Sequence, residues 1–359
     1  MDALDDLGWT EPFAQAYAPW AEKTGHSPGR VLIEFNHIYR VFTDAGDIEA
    51  VLAGRMKHHA SSRGELPAVG DWVVVRRQPD DDRGAIVSVL PRRSRFSRRM
   101  AGQVTDEQVV AANVDVVFLV MALDDDFSVR RLERYLLMAR ESGANPVVLL
   151  TKPDLCADTA ARVTDVVTVA GDVPVHVLSP KHGEGLEQVA HYLTPGRTGA
   201  LLGSSGVGKS TIINRLVGSD VQRTQDVREA DSKGRHTTSH RELVRLPSGG
   251  LLIDTPGMRE LQLWDAGGAV GQTFDDIEAL AASCHFTDCR HRDEPRCAVK
   301  AAVDDDRLPT ARLESYLKLQ DELAYLARQQ DERAQIEEKR RGRIGAKAMR
   351  AHQQRKRGT

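Results

Sequence analysis

The chain has 359 residues and a formal net charge of −3, with 41% hydrophobic and 28% charged residues. This length allows two or three domains, and the composition is that of an ordinary folded protein in water. No apolar run is long enough to span a membrane, and the acidic residues near the start are unlike a signal peptide. We therefore expect a cytoplasmic protein that has no membrane partner.

The first hundred residues are predicted to form an extension and a barrel. Residues 1–29 show little periodicity, which favours a loop-like extension. About five short β-type segments follow, at residues 31–35, 38–42, 49–55, 71–75 and 84–90. They predict a small barrel, most simply an oligonucleotide-binding (OB) fold, over residues 30–100. Such a barrel can bind RNA, and a β domain without a ligand is the alternative.

The segment Arg92–Arg99 contains five arginines around Phe96. Guanidinium groups pair with phosphates and stack on bases, and an aromatic ring can stack in the same way. We therefore expect contact with RNA here. A solvated linker is the alternative.

From Asn113 onward, strands alternate with helices, which predicts an open, mostly parallel α/β sheet within residues 101–265. After one strand comes Thr151-Lys152-Pro153-Asp154, which resembles the N-K-x-D motif of GTPases. In that motif Asp pairs with the N1–H and amine of guanine, and the Lys stem lies across the base. Because Thr151 replaces Asn, we expect one structural tie to be lost.

A second motif of this kind, Ser179-Pro180-Lys181, also follows a strand. It resembles the S-A-K motif, which contacts the guanine O6 through a backbone N–H. Pro180 has no N–H. Either Lys181 supplies the donor or this contact is lost.

The next motif fits the phosphate-loop pattern G-x-x-x-x-G-K-[ST] between an apolar strand and a helix. Its residues are Gly203, Ser204, Ser205, Gly206, Val207, Gly208, Lys209, Ser210 and Thr211. The glycines let the backbone aim several N–H groups at an anion. Lys209 reaches the outer phosphates, and the Ser210 hydroxyl can bind Mg²⁺. The sequence therefore predicts a nucleotide site with Lys209 in a catalytic role.

Asp254-Thr255-Pro256-Gly257 follows the apolar residues 251–253. An Asp at the end of a strand can support Mg²⁺ through water, and the N–H of a following Gly can meet a γ-phosphate. We therefore assign Asp254 and Gly257 to the triphosphate side of the site.

Residues 233–238 occupy the place of switch I, where a Thr binds Mg²⁺. We favour Thr238 and keep Thr237 open. Met258 stands where many GTPases have a water-orienting Gln, and Met cannot orient water. His236 is the nearest candidate for that catalytic role, and an exposed loop histidine is the alternative.

The order of these motifs is unusual. In ordinary GTPases the phosphate loop comes first and the two guanine motifs come last. Here the guanine motifs come first, which predicts a circularly permuted GTPase domain. An ATPase is an alternative, and its nucleotide binding would show no guanine preference and would not depend on Asp154.

The last motif is Cys284-x₄-Cys289-x-His291-x₅-Cys297. Three thiolates and one imidazole are typical of a closed, structural Zn²⁺ site, which has no open position for water. His285 is the alternative to His291 as a ligand. Cys156 is far from the other three cysteines in the sequence and is not assigned to the site. We therefore predict a zinc-binding helical domain over residues 266–330.

A long helix is predicted from Leu313 to about Glu338, and a basic tail is assigned to residues 331–359. Residues 339–359 contain nine Lys or Arg and no acidic residue. Such a segment predicts a polyanionic partner.

Together the permuted motifs, the barrel and the Cys-Cys-His-Cys set resemble the ribosome small subunit-dependent GTPase A family (RsgA, also called YjeQ). The resemblance covers roughly residues 30–326. It implies a GTPase that acts late in maturation of the small (30S) subunit, near its decoding region, and that turns over faster when bound there. It also implies a monomer that binds 16S rRNA and leaves the mature subunit. The family places a histidine like His236 at the hydrolytic site.

Two other functions stay open at this point. One is an RNA-binding assembly factor that uses GTP only as a structural ligand. The other is a permuted GTPase that acts on the large subunit or elsewhere. The expected small-molecule partners are GTP and GDP in each case, with Mg²⁺ bound alongside the nucleotide.

Overall fold

The protein is described by a computed structural model over residues 3–35, 37–60, 62–77, 83–99, 107–218, 241–254, 269–325 and 327–328. The chain divides into two compact units, Met1–Gln262 and Leu263–Thr359. Each unit buries its own set of apolar side chains. Within the described ranges, none of the helices is long and apolar enough to cross a membrane.

The chain begins with a 3-10 turn at Asp5–Leu7 and helix α1 at Glu11–Ala21. The prediction of a loop-like extension is therefore wrong. Phe13 of α1 is buried, and the ring of Trp9 lies 4.7 Å from the ring of Trp72. Pro12 lies in the first turn of α1, where a proline removes no intrahelical hydrogen bond.

Five strands form a closed barrel: β1 (His26–Phe35), β2 (Ile38–Thr43), β3 (Gly46–Leu52), β4 (Trp72–Arg77) and β5 (Arg83–Val89). Their order is β1-β2-β3-β5-β4, and β4 pairs with β1 to close the barrel. Short helix α2 (Gly54–His59) and a 3-10 turn (Arg63–Glu65) follow β3. The interior is lined by Val31, Tyr39, Val41, Ala50, Val73, Val75 and Ile86. The predicted OB-like barrel is confirmed.

The arginine-rich segment leads into a two-stranded sheet, β6 (Arg95–Arg99) with β7 (Glu107–Ala112). The guanidinium of Arg92 lies 2.7 Å from the buried carboxylate of Asp71 and also donates to two main-chain carbonyls. Phe96 is 3% exposed. The expectation of RNA contact is therefore wrong for Arg92 and Phe96. A buried carboxylate and the apolar core take up these two side chains.

The α/β part alternates strands and helices, as predicted. The elements are β8 (Val116–Ala122), α3 (Val129–Ser142), β9 (Asn145–Thr151), a 3-10 turn (Pro153–Leu155), α4 (Thr159–Ala170), β10 (Val175–Leu178), α5 (Leu186–Tyr192), β11 (Thr198–Leu202), α6 (Lys209–Val217), β12 (Arg241–Arg245) and β13 (Leu251–Asp254). The strand order is β10-β9-β8-β11-β13-β12, with only β12 antiparallel to its neighbour in this described sheet. Strand β8 is buried along its whole length, as a parallel strand covered on both faces must be.

The barrel and the α/β sheet are one continuous sheet, because β1 pairs with β12 through Ile33 opposite Glu242. The buried side chain of Arg30 joins the same two parts. Its guanidinium donates to the carbonyls of Leu7, Gly70 and Asn113 and, at 2.9 Å, to the hydroxyl of Thr198. The barrel is thus joined to the amino-terminal end of β11.

The second unit is helical. It contains α7 (Ala269–Thr273), α8 (Asp275–Ala281), α9 (Ala298–Asp304) and a longer helix, α10, over residues 310–325. The buried apolar side chains are Phe274, Ile277, Val299, Ala302, Leu313, Tyr316 and Leu319. Helix α10 is the long helix that was predicted to begin at Leu313, and it begins three residues earlier, at residue 310. Residues 329–359, including the basic tail, lie outside the described residues.

Candidate functional site

The phosphate loop lies where the sheet reverses its order of strands. Strands β9 and β10 extend the sheet on one side of β8, and β11 and β13 extend it on the other. Ligands of open α/β sheets bind outside the carboxyl ends of the strands at such a point. Strand β11 ends at Leu202, directly before the loop, and α6 begins at Lys209.

Three glycines make the loop conformation possible. Gly206 and Gly208 have φ values of +79° and +98°, which favour glycine. A Cβ atom on Gly203 would lie 2.3 Å from the carbonyl oxygen of Val120. The Nζ of Lys209 donates to the carbonyl of Gly203 at 2.7 Å and to that of Ser204. The ammonium group is thereby held against the loop backbone.

The remaining loop residues fall into two groups. Ser205 and Gly206 are exposed, whereas Val207 is buried beneath the loop. Ser210 and Thr211 are half-buried in the first turn of α6. The amino-terminus of a helix favours negative charge, so this end of α6 suits an anion.

Thr151 connects the guanine motif to the phosphate loop. Its side chain is fully buried, and its hydroxyl lies 2.6 Å from the carbonyl oxygen of Val207 and 3.3 Å from that of Met121. The expected loss of a structural tie at this position is therefore wrong. The hydroxyl of Thr151 therefore joins the two loops directly.

Lys152 has a left-handed backbone conformation, with φ of +57°. Its Nζ forms a 2.8 Å ion pair with Asp124, which follows β8. Partial burial alone would raise the pKa of Asp124, but the hydrogen bond and the charge of Lys152 lower it below its usual value. The Lys152 ammonium group is therefore oriented by a neighbouring strand end.

Asp154 lies in the 3-10 turn Pro153–Leu155, and its side chain is exposed. An exposed carboxylate at this strand end is accessible to a ligand.

The third strand end, after β10, carries the loop 179–184. Ser179 is buried, and its main chain exchanges two hydrogen bonds with Glu184. Lys181 is exposed, and its carbonyl accepts from Arg215 of α6 at 3.0 Å. The main-chain N–H of Lys181 has no hydrogen bond to any residue that the structure describes, whereas those of His182 and Gly183 are used within the loop.

Asp254 is the last residue of β13, opposite Glu242 of β12, and it is partly exposed. It lies at the same edge of the sheet as the phosphate loop, because β13 is parallel to β11. The other residues assigned to this side lie outside the described residues, namely His236, Thr237, Thr238, Gly257 and Met258. Their roles stay predictions.

The segment from the end of β8 through the first turn of α3 was not singled out from the sequence. Asp124 orients Lys152, and Arg131 donates a 2.7 Å hydrogen bond to the Ser204 hydroxyl of the phosphate loop while pairing with Asp126. A signal was present, because three acidic residues, 124–126, follow a fully buried strand at the edge where the other motifs lie.

The second unit brings the predicted metal ligands together. The ligand atoms of Cys284, Cys289, His291 and Cys297 all lie within 4.8 Å of one another. The Cys284 and Cys297 sulfurs are 3.9 Å apart, and His291 Nδ1 lies 3.6 Å and 3.4 Å from them. A tetrahedral zinc ion with ordinary bond lengths needs edges of about 3.5 to 3.8 Å. The group could therefore hold a metal ion.

Two further features suit ligation. Burial lowers the pKa of His291, which favours the neutral imidazole that binds metals. The Cys297 sulfur caps α9 by accepting from the Lys300 N–H at 3.5 Å, which fixes its position. The rival His285 instead packs its ring on Phe286 and is not part of the group.

These features define a class. A phosphate loop at the reversal of a parallel sheet, preceded in the chain by the strands that carry the guanine-type loops, is the arrangement of a circularly permuted P-loop GTPase. A solved structure described as YloQ, a circularly permuted GTPase, has this fold, with a TM-score of 0.57, 24% identity and coverage of 85% of this chain and 97% of that chain.

Comparison of sequences gives the family. A model of the RsgA GTPase family matches residues 89–264. The small ribosomal subunit biogenesis GTPase RsgA of Opitutus terrae is 50% identical over 337 residues, which cover 91% of this chain and 92% of the relative. The crystal structure of YjeQ from Thermotoga maritima covers 83% of this chain and 99% of its own, with a TM-score of 0.60 and 27% identity. The chain belongs to the RsgA GTPase family.

Proposed function

We propose that this chain hydrolyses GTP in the biogenesis of the small ribosomal subunit. The observation that carries the proposal is the junction of two loops, in which Thr151 of the guanine motif is hydrogen-bonded to Val207 of the phosphate loop. This junction brings a base-binding loop and a phosphate-binding loop together at one sheet edge. The relative from Opitutus terrae, half identical over nearly its whole length, is named for that function.

The phosphate side is proposed to work by positioning and by charge. Lys209 and the main-chain N–H groups of the loop stabilise the charge of the β- and γ-phosphates. Ser210 and Thr238 bind Mg²⁺ directly, with Thr237 as the alternative to Thr238. Asp254 supports the ion through water.

Hydrolysis needs a positioned water molecule. We assign this role to His236, because Met258 cannot orient water, and the Gly257 N–H meets the γ-phosphate. Both loops that carry these residues are expected to reach the productive arrangement on the ribosomal subunit. Contact with the subunit would then raise the rate.

The base side selects guanine. Asp154 accepts from the N1–H and amine of guanine, and the stem of Lys152 lies across the ring while Asp124 holds its ammonium group. Lys181 supplies the N–H for guanine O6, since Pro180 has no N–H and that of Lys181 is not committed to another described residue. Ser179 supports the loop from within.

The metal of the second unit is proposed to be one structural Zn²⁺ bound by Cys284, Cys289, His291 and Cys297. The spacing of the ligand atoms and the Cys₃His chemistry support zinc. Four protein ligands leave no position for a substrate, so the ion would stabilise the fold and take no part in hydrolysis.

The partners are proposed to be the small (30S) subunit and its 16S rRNA, with the chain acting as a monomer in the cytoplasm. The OB-like barrel and the basic residues 339–359 are the segments whose chemistry suits RNA. If the tail contacts phosphates, low salt strengthens binding that depends on the tail.

The decisive experiment measures GTP turnover with and without purified small subunits, with large subunits as the control. We expect small subunits alone to raise the rate at least about tenfold. A His236→Ala variant should bind GTP and the subunit but lose most of this increase.

Each rival has its own outcome in that experiment. Equal rates with and without subunits would overturn the proposed stimulation. Turnover of His236→Ala at the parent rate would favour an assembly factor that holds GTP as a structural ligand. Stimulation by large subunits would redirect the proposal to that particle, and equal use of ATP would remove guanine selection.

A further inference from the structure

Arg131 reaches the phosphate loop from a neighbouring strand end. It lies in the first turn of α3, where the Ser128 hydroxyl caps its main-chain N–H at 3.4 Å. Its Nη1 donates to the Ser204 hydroxyl at 2.7 Å, across 73 residues of sequence. Ser204 is a variable position of the phosphate-loop motif, so the motif itself does not predict this contact.

The guanidinium is held in place from the other side by Asp126. Its Nη1 lies 2.9 Å and 3.0 Å from the two carboxylate oxygens, and Nη2 donates to the same carboxylate and to the Asp126 carbonyl. Such a fork restricts the rotamers of Arg131 before any ligand binds. The Nε atom of Arg131 is buried and has no hydrogen-bond partner among the described residues. The side chain thus keeps its contact with Ser204 even though this one donor is left unsatisfied.

Ser204 is therefore held by two cations. Its hydroxyl accepts from Arg131, and its carbonyl accepts from the ammonium group of Lys209. A shift of the Ser204 main chain would displace one of the two carbonyls that hold Lys209. The conformation of the loop backbone, which supplies the phosphate-binding N–H groups, thus depends on a side chain of α3.

We propose that Arg131 is a positioning residue for the phosphate loop, acting through the Ser204 hydroxyl to hold the loop in its nucleotide-binding conformation. The proposal rests on the proposed function, because it concerns the affinity of the same site for nucleotides. The loop cradles phosphates that GTP and GDP share, so the affinity for both falls when the contact is lost. Selection of guanine over adenine, which belongs to the other loops, does not change.

The experiment measures dissociation constants for GTP, GDP and ATP in the full chain and in the variants Arg131→Ala, Ser204→Ala and the double variant. Arg130→Ala is the matched control, since Arg130 is the adjacent arginine of the same helix turn and is exposed. We expect each single variant to weaken GTP and GDP about tenfold, the effect of one charge-assisted hydrogen bond. The double variant should bind GTP and GDP no more weakly than Arg131→Ala, because the two substitutions remove the same hydrogen bond.

The controls separate positioning from stability. Arg131→Lys keeps the charge without the fork and should recover part of the affinity. Thermal unfolding is measured for each variant. If Arg131→Ala does not fold, Ser204→Ala decides alone, because it removes the hydrogen bond and leaves the Asp126 pair intact.

Three results overturn the proposal alone: parent affinity in Arg131→Ala, parent affinity in Ser204→Ala, or fully additive losses in the double variant. A parent chain that binds no guanine nucleotide overturns the proposed function and this inference together. Binding of GTP by the parent with unaltered affinity in Arg131→Ala removes only the inference.

Discussion

The hydroxyl of Thr151 donates a 2.6 Å hydrogen bond to the main-chain oxygen of Val207. The two residues are 56 positions apart in the chain. Thr151 is the last residue of β9, and Val207 lies in the loop that follows β11. One hydroxyl thus ties the loop that carries the guanine-type motif to the phosphate-loop motif. A nucleotide that spans both loops depends on that contact.

Replacing Thr151 with Val keeps the shape of the side chain and removes the hydroxyl. Because the Val207 carbonyl then loses a buried partner, we expect a loss of about 1–3 kcal/mol in stability or in GTP affinity. Thr151→Ser, which keeps the hydroxyl, is the control and should stay near the parent. Titration of GTP and urea unfolding measure the two quantities, and parent values for both in Thr151→Val would contradict the prediction.

Asp154→Asn tests guanine selection. A carboxylate accepts two hydrogen bonds from guanine, whereas an amide offers a donor that suits the second carbonyl of xanthine. We expect GTP affinity to fall about tenfold or more and XTP affinity to rise. Competition between the two nucleotides measures the change. Asp158→Asn is a control outside the proposed site, since Asp158 caps α4. Unchanged GTP binding in Asp154→Asn would remove Asp154 from the site.

The cysteine cluster predicts a metal content that mutation can test. The purified chain should contain about one zinc ion, and Cys284→Ser or Cys297→Ser should lose it. Cys156→Ser is the matched control, because Cys156 is half-buried in the other unit. Elemental analysis gives the metal content, and limited proteolysis reports the fold of the second unit. Chelation should expose that unit to protease, since a structural metal contributes to folding. Equal zinc in all three variants would refute the ligand set.

Arg30 predicts a large effect on stability. Its pKa is lowered to about 10 by burial, with Asp115 acting in the opposite direction, so the guanidinium remains charged at neutral pH. Arg30→Met leaves three carbonyls and the Thr198 hydroxyl without this donor. Because a buried acceptor left unsatisfied costs about 1–3 kcal/mol, we expect a total loss of at least about 3 kcal/mol.

Arg40→Met is the control for Arg30, because Arg40 is mostly exposed and pairs with Asp47 at the surface. Its loss should cost no more than about 1 kcal/mol. Urea unfolding followed by tryptophan fluorescence suits the measurement, since the Arg30 guanidinium lies 5.4 Å from the Trp72 ring. Equal urea midpoints for the two variants would contradict the buried role of Arg30.

Local patterns predicted most of the fold. The apolar strand β8, the alternation of the five barrel strands and the capped helices are each specified by residues within one element, so period and turn chemistry were sufficient. Helix α1 was missed because its prolines break the helical pattern in sequence, although one lies where the backbone tolerates it. The proposed roles of His236 and Thr238 remain predictions.

The sequence by itself determined the groups whose functional residues lie close together along the chain. The glycines and Lys209 of the phosphate loop, and the thiols and imidazole of the metal cluster, are such groups because spacing alone brings their ligand atoms together. Tertiary structure alone decided which partner each long side chain takes. Arg92 could have met RNA, but the buried Asp71 holds it, and Arg131 meets Ser204 only because β8 and β11 lie side by side. A charged side chain is bound by whatever complementary group the fold brings within about 3 Å, and residues far apart in the chain do not reveal that group before they are folded together.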